Sequence, residues 1–185
     1  IMLCDVSARD NVALAFPAGW TIYREGNNGA TLRSTLAWKR CVGAEAAFTI
    51  THTAGAEIRA NVAVYRGCVA TGSPVNASSL RHNAINATCT ADAITPTVPN
   101  CLIVFSIHSS AAGVEPGDCT AQAATDPAGV AERFDNPGGG ATPFLEVSGA
   151  DGLNRAGGST GNATGTIANA RVNSGGLTAL TPLVK

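Results

Sequence analysis

Hydrophobic residues in this chain recur with a period of two, in short runs cut by Gly, Pro and Asn. Nowhere do they recur at helical spacing for three turns with caps. A period of two places alternate side chains on opposite faces of an extended strand, so the pattern admits sheets and leaves helix a minor part. Val12 to Phe16 reads as a strand stopped by Pro17-Ala18-Gly19, and Trp20 to Arg24 as the next, followed by a turn at Asn27-Asn28-Gly29. Thr31 to Arg40 alternates most cleanly. Leu32, Ser34, Leu36 and Trp38 share one face, while Arg33, Thr35, Ala37 and Lys39 share a face expected to be wet.

Ala47 to Thr51 alternates again, and Ile58 to Tyr65 is expected to point Ile58, Ala60, Val62 and Val64 inward and Arg59, Asn61 and Tyr65 outward. Residues 67 to 100 read as loose, with one strand near Ala87 to Ile94. Cys101 to Ile107 is apolar on both faces, as a central strand covered on each side would be. Residues 109 to 130 read as a long surface loop, and Val130 to Asp135, Phe144 to Ser148, Thr166 to Val172 and Leu177 to Val184 complete the strands. Pro182 points to an edge position in the last of these. Short strands with turn signals and no intervening helices imply an all-β fold, an antiparallel β-sandwich or jelly-roll with little helix.

At 185 residues the chain is expected to form one domain, residues 1–185. With aromatics at only 5%, its core must close with small and β-branched side chains. A net charge of −1 with scattered Arg offers no basic patch to displace counterions, so nucleic acid is not an expected partner. No apolar run approaches the roughly 20 residues that cross a bilayer, so no membrane partner is expected either. Ile1-Met2-Leu3-Cys4 lacks a basic n-region and a cleavage site, and the chain opens as if in mid-strand. The expectation is that a short native N-terminal segment, including part of the first strand, precedes it.

Several residues could carry chemistry. Gly157-Gly158-Ser159-Thr160-Gly161 matches Gly-x-Ser-x-Gly, but a nucleophile elbow needs a strand before the Ser and a helix after it, and neither flank reads so. His52, His82 and His108 lie in separate segments and read as polar side chains at strand ends. Asp135, Glu146 and Asp151 sit near Gly-rich turns, where Asp and Asn stabilise the turn without an ion more often than they ligate calcium. No sequence spacing selects a carboxylate pair for glycoside hydrolysis. Cys4, Cys41, Cys68, Cys89, Cys101 and Cys119 contain no Cys-x-x-Cys unit, and Cys4, Cys41, Cys68 and Cys101, at the ends of apolar runs, read as small buried hydrophobes ahead of a disulfide framework. Asn76, Asn86 and Asn162 head glycosylation sequons of a kind that such a composition produces by chance. No catalytic, cofactor or metal residue is singled out.

Between Ala8 and Gly67, the segments Pro17-Ala18-Gly19-Trp20, Arg24, Asn28-Gly29, Leu36-Ala37-Trp38-Lys39-Arg40, Phe48-Thr49-Ile50-Thr51 and Ala63-Val64-Tyr65-Arg66-Gly67 form a pattern. It resembles a family of β-sandwich domains common in tailed-phage virion structural proteins and in some bacterial surface proteins. The likeness covers the first third of the chain, then runs loosely through Cys101 and Arg133-Phe134-Asp135. It implies a non-enzymatic component of the virion surface: a capsid decoration (cement) protein, head fibre or tail-associated domain. Its implied partners are other virion proteins and copies of itself, and it implies no cofactor. Residues 109 to 130 and 136 to 165 would be its contact loops. A carbohydrate-binding or adhesive module that meets host-surface glycan is the alternative, and a hydrolase a more remote one.

Overall fold

The computed structural model describes residues 1–53, 57–111, 119–127, 129–137, 144–154 and 156–183. All regular structure among them is strand, in antiparallel sheets packed on one another, consistent with a β-sandwich. The small sheet orders β3 (Thr21–Asn28), β4 (Leu32–Lys39), β1 (Met2–Arg9) and β6 (Ile58–Val64) as β3-β4-β1-β6. In the large sheet, β10 (Ala131–Pro137), β11 (Phe144–Asn154), β8 (Cys101–Ala111), β12 (Ala163–Leu180) and β7 (Val75–Ala91) run in the order β10-β11-β8-β12-β7, and β9 (Cys119–Ala124) pairs with β12. A two-residue pair, β2 (Leu14–Ala15) and β5 (Thr51–His52), is all that forms from the runs at Val12 and Ala47.

Three interlayers bury the core, each with its own chemistry. Outside the small sheet, Val12, Leu14, Phe16, Trp20, Phe48 and Ile50 cover Cys4, Val6 and Ala8. Trp20 stacks at 5.7 Å on Phe16 and at 4.6 Å on Phe48. This cover also closes the expected wet face of β4, where Thr35 and Ala37 are buried. Between the sheets, Leu3, Leu36, Val104 and Leu180 form an apolar end, beyond which the interlayer turns polar.

On the far side of the large sheet, Ile103, Phe105 and Ile107 of β8 pack under Cys89, Ala91, Cys119, Ala163 and Ile167. Both ends of β7 and of β12 belong to that one cluster, because the two strands run as a long ribbon that folds back over the sheet. The fold falls where the register slips between Thr166 and Asn173, a bulge that bends the ribbon. What the sequence presents as two strands, at 166 to 172 and 177 to 184, is therefore one bent strand ending at Leu180. Pro182 lies just outside it, bridged to Cys68.

Other expectations are corrected in the same way. The stretch 67 to 100 holds a 17-residue strand, since Ser, Asn and Thr serve a ribbon with one wet face. Residues 109 to 130 are not one loop: β8 continues through Ala111 and β9 starts at Cys119, with 112–118 outside the described residues. The segment 136 to 165 contains β11. On β6 the faces are reversed. Asn61 donates to the Val147 carbonyl of the large sheet at 3.0 Å, Ala63 packs inward and Tyr65 is buried, while Val62 and Val64 are exposed. Apolar alternation misleads there because the layer that β6 faces is itself part polar.

Gly175 and Gly176 sit where β12 passes between layers. A Cβ on Gly175 would stand 2.5 Å from the Thr90 carbonyl oxygen of the returning ribbon, and one on Gly176 would fall within the Arg24 guanidinium. Each glycine thus admits a group packed against the opposite face of one strand. Gly176→Ala is expected to destabilise the fold by about 1–3 kcal/mol through overpacking, read as a lowered urea midpoint at unchanged slope.

Candidate functional site

Polar residues two apart build the centre of the inter-sheet layer. Asp5 and Ser7 project from β1, Arg24 from β3, and Ser106 and His108 from β8. All five are buried, with His108 at 0% exposure. Ser106 donates to Asp5 Oδ2 at 2.5 Å. His108 Nε2 lies 3.3 Å from Asp5 Oδ1, and Arg24 Nη2 lies 3.9 Å from the same oxygen.

Arg24 Nη1 fixes the guanidinium against the large sheet. It donates to the carbonyls of Ser79 at 2.9 Å and Leu177 at 3.1 Å, and to the hydroxyl of Thr178 at 3.1 Å. Two residues on, Gly26 clears His82 and Leu80, where a Cβ would stand 2.7 Å from His82 Nε2. Asn28 then donates to the carbonyls of Asn83 at 2.7 Å and Asn173 at 2.8 Å. Arg24 and Asn28 thus bond β3 to the partner sheet, with Gly26 between them leaving room for His82 and Leu80.

Ser7, His108 and Asp5 form a chain with the composition of a catalytic triad. Ser7 Oγ lies 3.0 Å from His108 Nδ1, and His108 faces Asp5 on its other side. Proton inventory decides what the chain can do. The single Ser7 hydroxyl hydrogen goes to the Glu146 carbonyl at 2.6 Å, so His108 Nδ1 must be the donor toward Ser7. A general base works in the opposite sense, accepting the serine proton. Direction and burial together make the chain an inter-sheet clamp.

The sequence candidates scatter around this cluster. His108 alone belongs to it, in mid-strand rather than at a strand end. His82 pairs through Nδ1 with Ser174 Oγ at 2.8 Å, and His52 lies on β5. Ser159 is exposed on the connector from β11 to β12, with a strand and no helix after it, while the neighbouring Thr160 is buried and accepts from the Ile94 amide at 3.0 Å. Asp135, Glu146 and Asp151 lie on strands rather than turns. Asp135 accepts from the Cys119 amide at 2.8 Å, Glu146 accepts from Ser109 at 2.9 Å, and Asp151 binds Arg133 Nε at 2.8 Å and Nη2 at 2.7 Å. The sequon residues Asn76, Asn86 and Asn162 accept from the amides of Thr97, Thr88 and Ala93. No group of three or more His, Cys, Asp or Glu among the described residues could hold a metal ion.

Sequence alone does not single out Asp5, Ser7 or Arg24. It carries one signal: a carboxylate stands inside the otherwise apolar opening run, and Ser106 and His108 mark one face of an apolar strand.

Scans against family models, curated proteins and solved structures returned no match.

Burial raises the Asp5 pKa, but the contact and charge of His108, then the charge of Arg24 and the hydroxyl of Ser106, outweigh it and hold the group below its ordinary value of 3.8. Folding therefore stabilises the ionised form. The stability it confers is complete above that ordinary value and is lost as pH falls toward the lowered folded value. Asp5→Asn leaves the Arg24 guanidinium buried without its counter-charge and is expected to cost about 3–5 kcal/mol at neutral pH. The same variant should flatten the acid limb of the stability curve, measured by urea denaturation across the acid range.

The cysteines separate by access. Cys4, Cys89, Cys101 and Cys119 are buried, and all six thiols are free. Burial, then the charge of Asp5, pushes Cys4 up to about 12, and burial foremost pushes Cys119 up to about 11. Iodoacetamide is expected to alkylate the exposed Cys41 first and Cys68 more slowly, and to reach the other four only in denaturant, as counted by intact-mass spectrometry.

Proposed function

We propose that this chain is a non-enzymatic structural component of a phage virion surface, acting through contacts with other virion proteins and with copies of itself. The observation that carries the reading is the sealed state of the Ser7–His108–Asp5 chain, whose hydroxyl proton is already committed to a backbone carbonyl. Groups able to do chemistry are spent on joining two sheets, which leaves faces and edges as the means of action. The likeness of the Ala8 to Gly67 segment to virion β-sandwich domains supplies the setting, as a decoration protein, head fibre or tail-associated domain. Three of the four Trp and Tyr rings favour this reading over a sugar platform: Trp20 is packed between Phe16 and Phe48, Trp38 lies under Arg40 at 5.6 Å, and Tyr65 is buried, which leaves Tyr23 as the one exposed ring among them.

Quantitative mass spectrometry of purified particles tests the proposal. The chain is expected at a fixed stoichiometry to the major capsid or tail protein. Its absence from washed particles overturns the reading.

A further inference from the structure

The edges of the sheets are not alike. β3 carries a register break between Ile22 and Arg24, β10 one between Glu132 and Phe134, β9 pairs with β12 across another, and β7 has several. Bulges twist an edge away from flat pairing and so guard it against a further strand. β6 has none: its register with β1 runs unbroken from Val64 against Met2 to Ile58 against Ala8. Among the described edges of the two larger sheets it alone is regular over its whole length.

Its free hydrogen-bonding groups follow from that register. Tyr65 exchanges bonds with Ile1, and the Arg9 amide donates to the Glu57 carbonyl, so odd-numbered residues of this stretch point their backbone groups at β1. Ile58, Ala60, Val62 and Val64 therefore direct their N–H and C=O groups outward, where no described strand lies. The same residues show apolar side chains on the outer face, with Val62 44% and Val64 60% exposed. The strand's one charge, Arg59, is paired with Glu57 at 2.7 Å.

We propose that β6 is a homodimer edge, pairing antiparallel with β6 of a second copy about a two-fold axis at Asn61. This register is self-consistent in each respect that matters. It sets Ile58 against Val64 and Ala60 against Val62 of the other copy, so every outward N–H and C=O of the four residues meets a partner. The exposed valines gain apolar cross-strand neighbours. On the inner face Arg59 meets Ala63 and Asn61 meets its own copy, so no like charges oppose. The two small sheets become one continuous sheet closed by an isologous interface.

Sedimentation velocity of the full chain at increasing concentration tests this. A dimer is expected, and Val62→Lys, which places an ammonium in the joined face, is expected to weaken it at least ~10-fold. Ile85→Lys, at an exposed apolar site on β7, should leave the dimer unchanged. Hydrogen exchange adds a readout independent of fold stability: the amides of Ala60 and Val62 should slow with concentration in the wild type and not in Val62→Lys. A monomer at all concentrations, a trimer, or a dimer indifferent to Val62→Lys overturns the proposal. The dimer stands apart from the virion reading, since its presence in solution does not depend on whether the chain is found in particles.

Discussion

A guanidinium inside a sandwich is the constraint around which the rest of this structure is arranged. Arg24 is buried, and burial acts to lower its pKa while the charge of Asp5 opposes that. A charge taken out of water costs several kcal/mol unless geometry and further bonds offset it. Here the offset comes from three strands at once: the carboxylate on β1, and the Ser79 carbonyl on β7 and the Leu177 carbonyl and Thr178 hydroxyl on β12, which accept from a side chain of β3. These bonds form only if the sheets meet in one register. Slide either by a residue and the guanidinium loses these acceptors.

The two faces of the large sheet divide the work of folding. The outer one is apolar, with Ile103, Phe105, Ile107 and Leu177 fully buried, and such burial is worth about 1.5–3 kcal/mol per large side chain without specifying direction. The inner one is graded from Leu3 and Leu36 at one end to Asn28, Asn83 and Asn173 at the other. An apolar layer tolerates sliding, whereas a polar layer does not, because each misplaced group is left buried without a partner.

Class is legible in the sequence because period-two patterning and short apolar runs are local signals: β4 appears where alternation is cleanest, and β8 where an apolar run marks a strand covered on both faces. The departures have separate physical causes. On β6 the faces are exchanged because the rule that apolar residues point inward fails against a layer that contains Asp5 and Ser7. The bent ribbon presents as separate strands in the sequence because a bulge at 167 to 172 breaks alternation without ending the strand. Gly and Pro crowd residues 109 to 130 and give them the look of a loop, although β8 and β9 reach in from both sides. The clamp was illegible for a different reason: Asp5, Ser7, Arg24 and His108 lie up to a hundred residues apart, and only the register of β1 over β8 brings them together.

That origin also explains why a triad's composition need not yield a triad's chemistry. Alternation puts every second residue of facing strands into one layer, so a sandwich with a polar layer brings Ser, His and Asp together readily. What separates a clamp from a catalyst is where the hydroxyl proton goes and whether a substrate can reach it. In this layer the proton is directed to the Glu146 backbone, and both sheets stand between Ser7 and solvent. Among the described edges of the two larger sheets, the one on which backbone hydrogen-bonding capacity remains open in regular register is that of β6, next to the strand that carries Asp5 and Ser7. The clamp and the edge are thus mechanically joined through β1: the bonds that fix its position between the sheets also hold β6 straight enough to receive another strand.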